Sequence, residues 1–318
     1  MSELVAPRPI RRPIAGNTAT GFLKLLALVF MCCDHVGIRL MSNMTEMRVL
    51  GRIAFPLYCW CLVVGFHYTR SVPKYILRLL IVGVISQPIY ALAMGHQWLD
   101  LNIYFELCIG LLGLWCMRYK SYLFHIIGPI FMLVMAQILC GAYSYGWRGV
   151  LLIYLLYAVQ DRRRGIAAVM IAFCLFWGST STDFLARQSD PRLVPSLYGV
   201  SLAFINNNTT LKAMLAPWMR LQTCAVLSLP FMLMRFPETI LLPEWLADVL
   251  YSAKLYRVRF MRFFRLPEWL VNALHPMPVD RIRHPRSFHL PKWIGYSFYP
   301  LHLAILLIIQ LFMGKVVL

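Results

Sequence analysis

Charge is scarce in this chain. Of its 318 residues, 14% are Asp, Glu, Lys or Arg and 60% are hydrophobic, with a mean hydropathy of +0.64. Soluble domains carry about 25% charged residues, so this composition excludes one and reads as an all-α, polytopic membrane protein. Acidic residues are the scarcest: 13, against 31 Lys and Arg, for a net charge of +18. In a soluble chain that excess would point to nucleic acid. In a membrane chain it records the bias of basic residues towards the cytosolic face, and no nucleic-acid partner is expected. No Cys-x-x-Cys occurs. The nine cysteines lie in or beside apolar runs, fit neither a disulfide framework nor a metal site, and read as small core hydrophobes. No small-x-small cleavage site follows the first apolar run, so that run is expected to be a retained span rather than a signal peptide.

What the chain does have is long apolar runs. They fall near 22–41, 53–69, 75–94, 101–117, 122–140, 147–160, 165–180, 217–234 and 293–313. Arg70, Lys74, Arg118, Lys120 and the "DRRR" of 161–164 fall in alternate connections, which predicts about nine spans, N-terminus in and C-terminus out. The expected layout is a basic cytosolic tail over 1–21, a transmembrane core over 22–235, a cytosolic segment over 236–292 and a last span over 293–318. "SLYGVSLAFI" at 196–205 is expected to be re-entrant or amphipathic. In 236–292, "LPEWL", "LPEWL" and "LPKWI" begin 24 residues apart, with Lys254, Arg257, Arg259, Arg262 and Arg265 among apolar residues. Proline and glutamate at those positions are helix-start signals. Amphipathic helices on the anionic inner leaflet are the plainer expectation, a polyanionic ligand or acidic partner the sharper one.

Ionisable residues inside the apolar runs are the departures that need a reason. "MCCDHVGIRL" at 31–40 places Asp34 and His35 past the middle of the first run. An acid at a membrane helix centre costs about 2.5–3.5 kcal/mol, and such groups usually mark sites or pathways. Adjacent helical residues point about 100° apart, so Asp34 and His35 are expected to engage different neighbours or flank a cavity. On the predicted topology Arg52, Asn102 and Glu106 lie towards the same outer side. Arg52 is placed to pair with either Asp34 or Glu106. His302 follows Pro300 in the last span, where the proline loosens the helix. Arg70, Lys74 and Arg78 border the inner face, as snorkelling anchors or phosphate ligands. His67 and His125 lack polar company and read as ordinary packed residues.

Several stretches carry a family resemblance. "KLLALVFMCCDHVG", "LGRIAFPLYCWCLVVGFHYTRS", "KYILRLLIVGVISQPIY", "LNIYFELCIGLLGL" and "FYPLHLAIL" resemble the TraX family, densely over 22–118 and again at 293–309. The resemblance implies a bacterial inner-membrane acetyltransferase that uses acetyl-CoA to N-acetylate a pilin-type subunit. The positions that match are Asp34, His35, Gly51, Arg52, Pro56, Gly65, Arg70, Arg78, Asn102, Pro300 and His302. Glu106 stands where a hydroxyl residue is expected, so another pilin type or a surface glycan stays open as acceptor.

Acyl transfer to an amine needs a base, an oxyanion donor and a hold on coenzyme A. His35 and His302 with Asp34 would supply the first. Arg52, Asn102 and Glu106 would line the acceptor side, with Arg52 or Asn102 as donor. Arg70, Lys74 and Arg78 would hold phosphates. The rival class is a proton-coupled transporter using Asp34, His35, Glu106 and His302 as a relay. Carriers often show two matching halves, and no such symmetry is visible here.

Overall fold

The computed structural model describes residues 13–41, 44–140, 145–180, 221–234, 240–241, 287–288 and 292–314. Each apolar run of the sequence coincides with helix among these residues. In chain order they are α1 (Thr20–Arg39), α2 (Thr45–Gly51), α3 (Ala54–Tyr68), α4 (Val72–Met94) and α5 (Ile103–Cys116). A π-helical turn, Leu123–Ile127, leads into α6 (Gly128–Cys140), followed by α7 (Trp147–Ala158) and α8 (Arg163–Thr180). A 3-10 helix, Leu221–Ser228, runs into α9 (Leu229–Leu233), and α10 spans Lys292–Phe312. Among the described residues four stretches are long and apolar enough to cross a membrane: Thr20–Arg39, Glu46–Tyr68, Val72–Met94 and Leu123–Cys140. Ile103–Cys116, Trp147–Ala158, Leu221–Leu233 and Tyr296–Phe312 are shorter apolar stretches.

The chain divides into two units, one of 1–236 with 291–318 and one of 237–290. In the second, the described residues are a two-residue antiparallel pair, β1 (Ile240–Leu241) and β2 (Ser287–Phe288), with Ile240 opposite Phe288. The three-fold "LP-W" repeat apart from the helical backbone of 292–294, the five basic residues between 254 and 265, and the stretch 196–205 lie outside the described residues.

In the first unit α3 is the central helix. It is apolar all round, as a helix enclosed on every side must be. The span Glu46–Tyr68 has 78% of its apolar window buried, whereas Leu123–Cys140 has 17%, leaving Ile130, Phe131 and Ile138 on an outward face suited to lipid. α1, α7 and the 3-10 helix pack around α3; α10 lies against α1 and α4; α5 joins α4, α6 and α7. Pro56 explains why α2 and α3 are separate elements. It sits in the first turn of α3, where a missing N–H costs least, and it leaves the preceding turn without a continuing bond. Gly95, with φ +61, ends α4 in the left-handed conformation that glycine adopts freely, and its N–H reaches back to the last turn.

Side-chain and ring contacts mark two distinct ends of the bundle. At one end the starts of α3, α5 and α7 meet: Phe55 stacks on Tyr145 at 3.8 Å, and the Tyr145 N–H donates to Glu106 Oε2 at 3.2 Å. The C-termini of α1, α4 and α10 meet at one carbonyl, that of Ala93, which accepts from Arg39 Nε (2.9 Å) and Gln310 Nε2 (3.1 Å). The basic connections gather at the other end, where Arg118 donates to the Phe66 carbonyl at 2.9 Å and lies over the Phe66 ring.

Within 1–21, the stretch expected as a basic cytosolic tail, the described residues pack on the helices. Ala15 N–H bonds the Gln160 carbonyl (2.8 Å), Asn17 N–H bonds that of Met232 (2.7 Å), and the Trp60 indole donates to the Asn17 carbonyl (2.8 Å). Asn17 is 2% exposed; its amide donates to the Phe231 carbonyl at 3.2 Å and its side-chain oxygen accepts from Ala19 N–H at 2.9 Å. Asn17→Ala would strand a buried donor and a buried acceptor, each worth about 1–3 kcal/mol. A clear fall in the thermal midpoint of detergent-purified protein is expected, while Asn17→Ser should lose less.

Candidate functional site

Asp34 and His35 leave α1 in different directions, as neighbours on a helix must. Asp34 turns towards α2. Its Oδ1 accepts from Arg48 Nη1 at 2.9 Å and from Arg52 Nη2 at 2.6 Å, and its Oδ2 accepts from Arg52 Nη2 at 2.6 Å. These charge-assisted bonds make a buried carboxylate tolerable. Arg48 and Arg52 are one helical turn apart, which sets both guanidiniums on the face turned to α1. Gly51 between them permits the approach: a Cβ there would stand 2.6 Å from Asp34 Cγ. Both guanidiniums face this one carboxylate.

His35 turns the other way, towards α10. Its Nδ1 lies 2.9 Å from His302 Nε2, with ring centroids 5.1 Å apart and planes 14° from parallel. His302 Nδ1 donates in turn to the Phe298 carbonyl at 3.0 Å. The His302 ring is stacked against Phe298 at 5.6 Å and met edge-on by Tyr299 at 5.4 Å. Both histidines are half-buried.

Other sequence candidates occupy different roles. Asn102 is fully buried and caps α5, its oxygen accepting from Tyr104 N–H at 3.0 Å. Its amide donates to Gly83 O (2.8 Å) and Gln87 Oε1 (2.9 Å), so both amide hydrogens tie α5 to α4. Glu106, also fully buried, holds Tyr145 through Oε2, with Gly149 against its Oε1. Tyr145 feels the charges of Arg52, Asp34, Glu106 and Arg48; burial pushes its phenol up to about 12. Glu106 is thus a neighbour of the Asp34 group through Tyr145 and Phe55, and Arg52 chooses Asp34. Arg70, Lys74 and Arg78 are exposed around the start of α4, and Arg78 lies beside Tyr296 of α10. Arg48 and Tyr145 are the members the sequence did not single out. Its available signal was the four-residue spacing of Arg48 and Arg52 around Gly51.

Known sequences match the part of the chain that carries much of this site. The family model described as TraX protein matches residues 19–253, which takes in Asp34, His35, Arg48, Arg52, Glu106 and Tyr145 but not His302. The chain is 34% identical over 106 residues to a probable fimbrial assembly protein (FimC, serogroup H1) of Dichelobacter nodosus, covering 29% of this chain and 43% of that one. It is 39% identical over 88 residues to an uncharacterized protein of Rickettsia prowazekii, covering 28% and 33%. Against the Escherichia coli protein TraX it is 32% identical over 172 residues, covering 52% and 67%. The match therefore spans less than half of the Dichelobacter and Rickettsia relatives. No solved structure matches the chain.

The close approach at Gly51 makes a sharp test of the cluster. Gly51→Ala must push α2 from α1 or drive the Asp34 carboxylate out of place, and overpacking of this kind costs about 1–3 kcal/mol. A lowered thermal midpoint is expected for Gly51→Ala and little change for Leu99→Ala, whose side chain is 85% exposed. Equal effects would mean that the tight contact does not matter.

Proposed function

The chain belongs to the TraX family, and we propose that it is a membrane-embedded acetyltransferase that moves an acetyl group from acetyl-CoA to the N-terminal amine of a pilin-type subunit. The observation that carries the reading is the imidazole pair of α1 and α10 beside the Asp34–Arg48–Arg52 cluster. Two imidazoles and two guanidiniums are gathered there inside an apolar bundle. The Dichelobacter relative, named as a probable fimbrial assembly protein, supports a pilus-related setting. We place the protein in the bacterial inner membrane with about nine spans, N-terminus in and C-terminus out. The basic end of the bundle, with Arg70, Lys74, Arg118 and Lys120, then faces the cytosol, and the histidine pair lies towards the outer side.

The residues present fit acetyl-CoA. Arg70, Lys74 and Arg78 would hold its phosphates near the cytosol. Arg78 touches α10 at Tyr296, and six residues further along the same helix is His302, a rise of about 9 Å. When bound, acetyl-CoA supplies an acetyl group activated as a thioester.

The chain's own groups would do the following. A protonated amine is no nucleophile, and an α-amino group has a pKa of about 7.7–8.0, within reach of a neutral imidazole. The neutral amine attacks, and His35 accepts the one proton its nitrogen sheds as the nitrogen–carbon bond forms. The same proton then passes from His35 to the thiolate as the carbon–sulfur bond breaks, so charge and atoms balance. Positive charge from Arg48 and Arg52 stabilises the negative oxygen of the tetrahedral intermediate. Asp34 holds both guanidiniums in place.

Thiol release from acetyl-CoA, measured on purified protein with a pilin N-terminal peptide, tests the reaction. His35→Ala should lower it by about 10²–10⁴-fold per unit of monodisperse protein, the usual worth of a positioned base. Undiminished release would remove His35 from the chemistry, and release with a glycan but not the peptide would change the acceptor. The orientation has its own test, in a cysteine-free background. A cysteine at Leu99, 85% exposed, should react with an impermeant reagent added outside; one at Tyr122, 82% exposed, should react only after lysis. The reverse pattern would put the histidine pair on the wrong side for an exported acceptor.

A further inference from the structure

We propose that the Phe298 carbonyl, acting through His302, fixes His35 in the tautomer whose Nε2 carries the lone pair, which makes His302 a positioning residue. The inference rests on the acetyl-transfer reading for its purpose but on geometry for its content. A carbonyl oxygen can only accept, so the contact of 3.0 Å from His302 Nδ1 to Phe298 O places a proton on that nitrogen. A neutral imidazole has one N–H, so His302 Nε2 then holds a lone pair. That atom lies 2.9 Å from His35 Nδ1, which must therefore be the donor. The single proton of His35 is thus on Nδ1, and Nε2 is left basic.

The opposite direction of donation would require His302 to carry two protons. It would then be a cation stacked on His35 at 5.1 Å in an apolar interior that disfavours charge. The neutral chain avoids that cost. The anchor is also rigid: His302 is clamped by Phe298 and Tyr299, and Tyr299 is itself buried against Tyr104 with centroids 5.0 Å apart. An imidazole in water favours the proton on Nε2, so the bundle selects the form that solution disfavours. Two consequences follow for the reaction. The acceptor amine must approach His35 from the edge away from α10. After proton uptake, His35 remains bonded to the lone pair of His302, which stabilises the imidazolium.

Nitrogen-15 NMR of histidine-labelled protein in nanodiscs reads the tautomer directly, with the His35 signals assigned by their loss in His35→Gln. The expected spectrum has the proton-bearing nitrogen of His35 at Nδ1 and the bare one at Nε2; a proton on Nε2 overturns the proposal. Variants of His302 add a second reading. Gln can offer a side-chain oxygen where His302 presents Nε2, so His302→Gln should keep the tautomer and stay within about tenfold of full transfer, whereas His302→Leu should lose about 10²–10⁴-fold. A His302→Leu protein that keeps both the tautomer and the rate also overturns it. If His35 shows the expected tautomer but no acceptor is acetylated by the unaltered protein, the tautomer relay stands and the acetyltransferase reading fails.

Discussion

The ion cluster of Asp34 with Arg48 and Arg52 is the constraint on which this end of the bundle is built. No water is at hand in an apolar interior to solvate a carboxylate, so its partners must be supplied by the chain and held at hydrogen-bond distance. That demand sets α2 against α1, requires glycine at position 51, and leaves α3 to begin at a proline-defined break one turn later. α3 is then committed to the centre, and its apolar surface on every side organises the remaining helices around it. With Asp34 satisfied by α2, His35 is free to face α10, and the two functions of adjacent residues are divided between two neighbouring helices.

The helical layout was largely legible because a span needs length and apolar content, and both are visible in composition alone. Interactions between distant residues were not. His35 and His302 stand 267 residues apart, and helical geometry says only that His35 looks away from Asp34, not what it meets. α2 escaped notice because seven residues containing Glu46 and Arg48 look like a polar connection, and only the packed structure shows them joined to the span Glu46–Tyr68. Asn102 carried a signal that was read for its chemistry rather than its position: an asparagine immediately before an apolar run is a helix N-cap. Residues 13–19 look like tail because proline and glycine neighbours hide the one asparagine that fastens them.

Family membership and site geometry bear on different parts of the chain. The match over 19–253 covers the ion cluster, Glu106 and the Tyr145 connection, while α10 enters the site from beyond it. The first span therefore joins two layers of the site. One is carried wholly within the matched region, and the other is completed by a helix that returns after 237–290.

The Ala93 carbonyl, shared by Arg39 and Gln310, gives α1 and α10 a common pivot. His35 lies four residues from Arg39, a lever arm of about 6 Å, and His302 lies eight from Gln310, an arm of about 12 Å. For the same small tilt, the imidazole of α10 sweeps twice as far as that of α1. The gap between the two rings is therefore governed mainly by the last helix, and any push on α10 from the side of Arg78 and Tyr296 is transmitted along the longer arm.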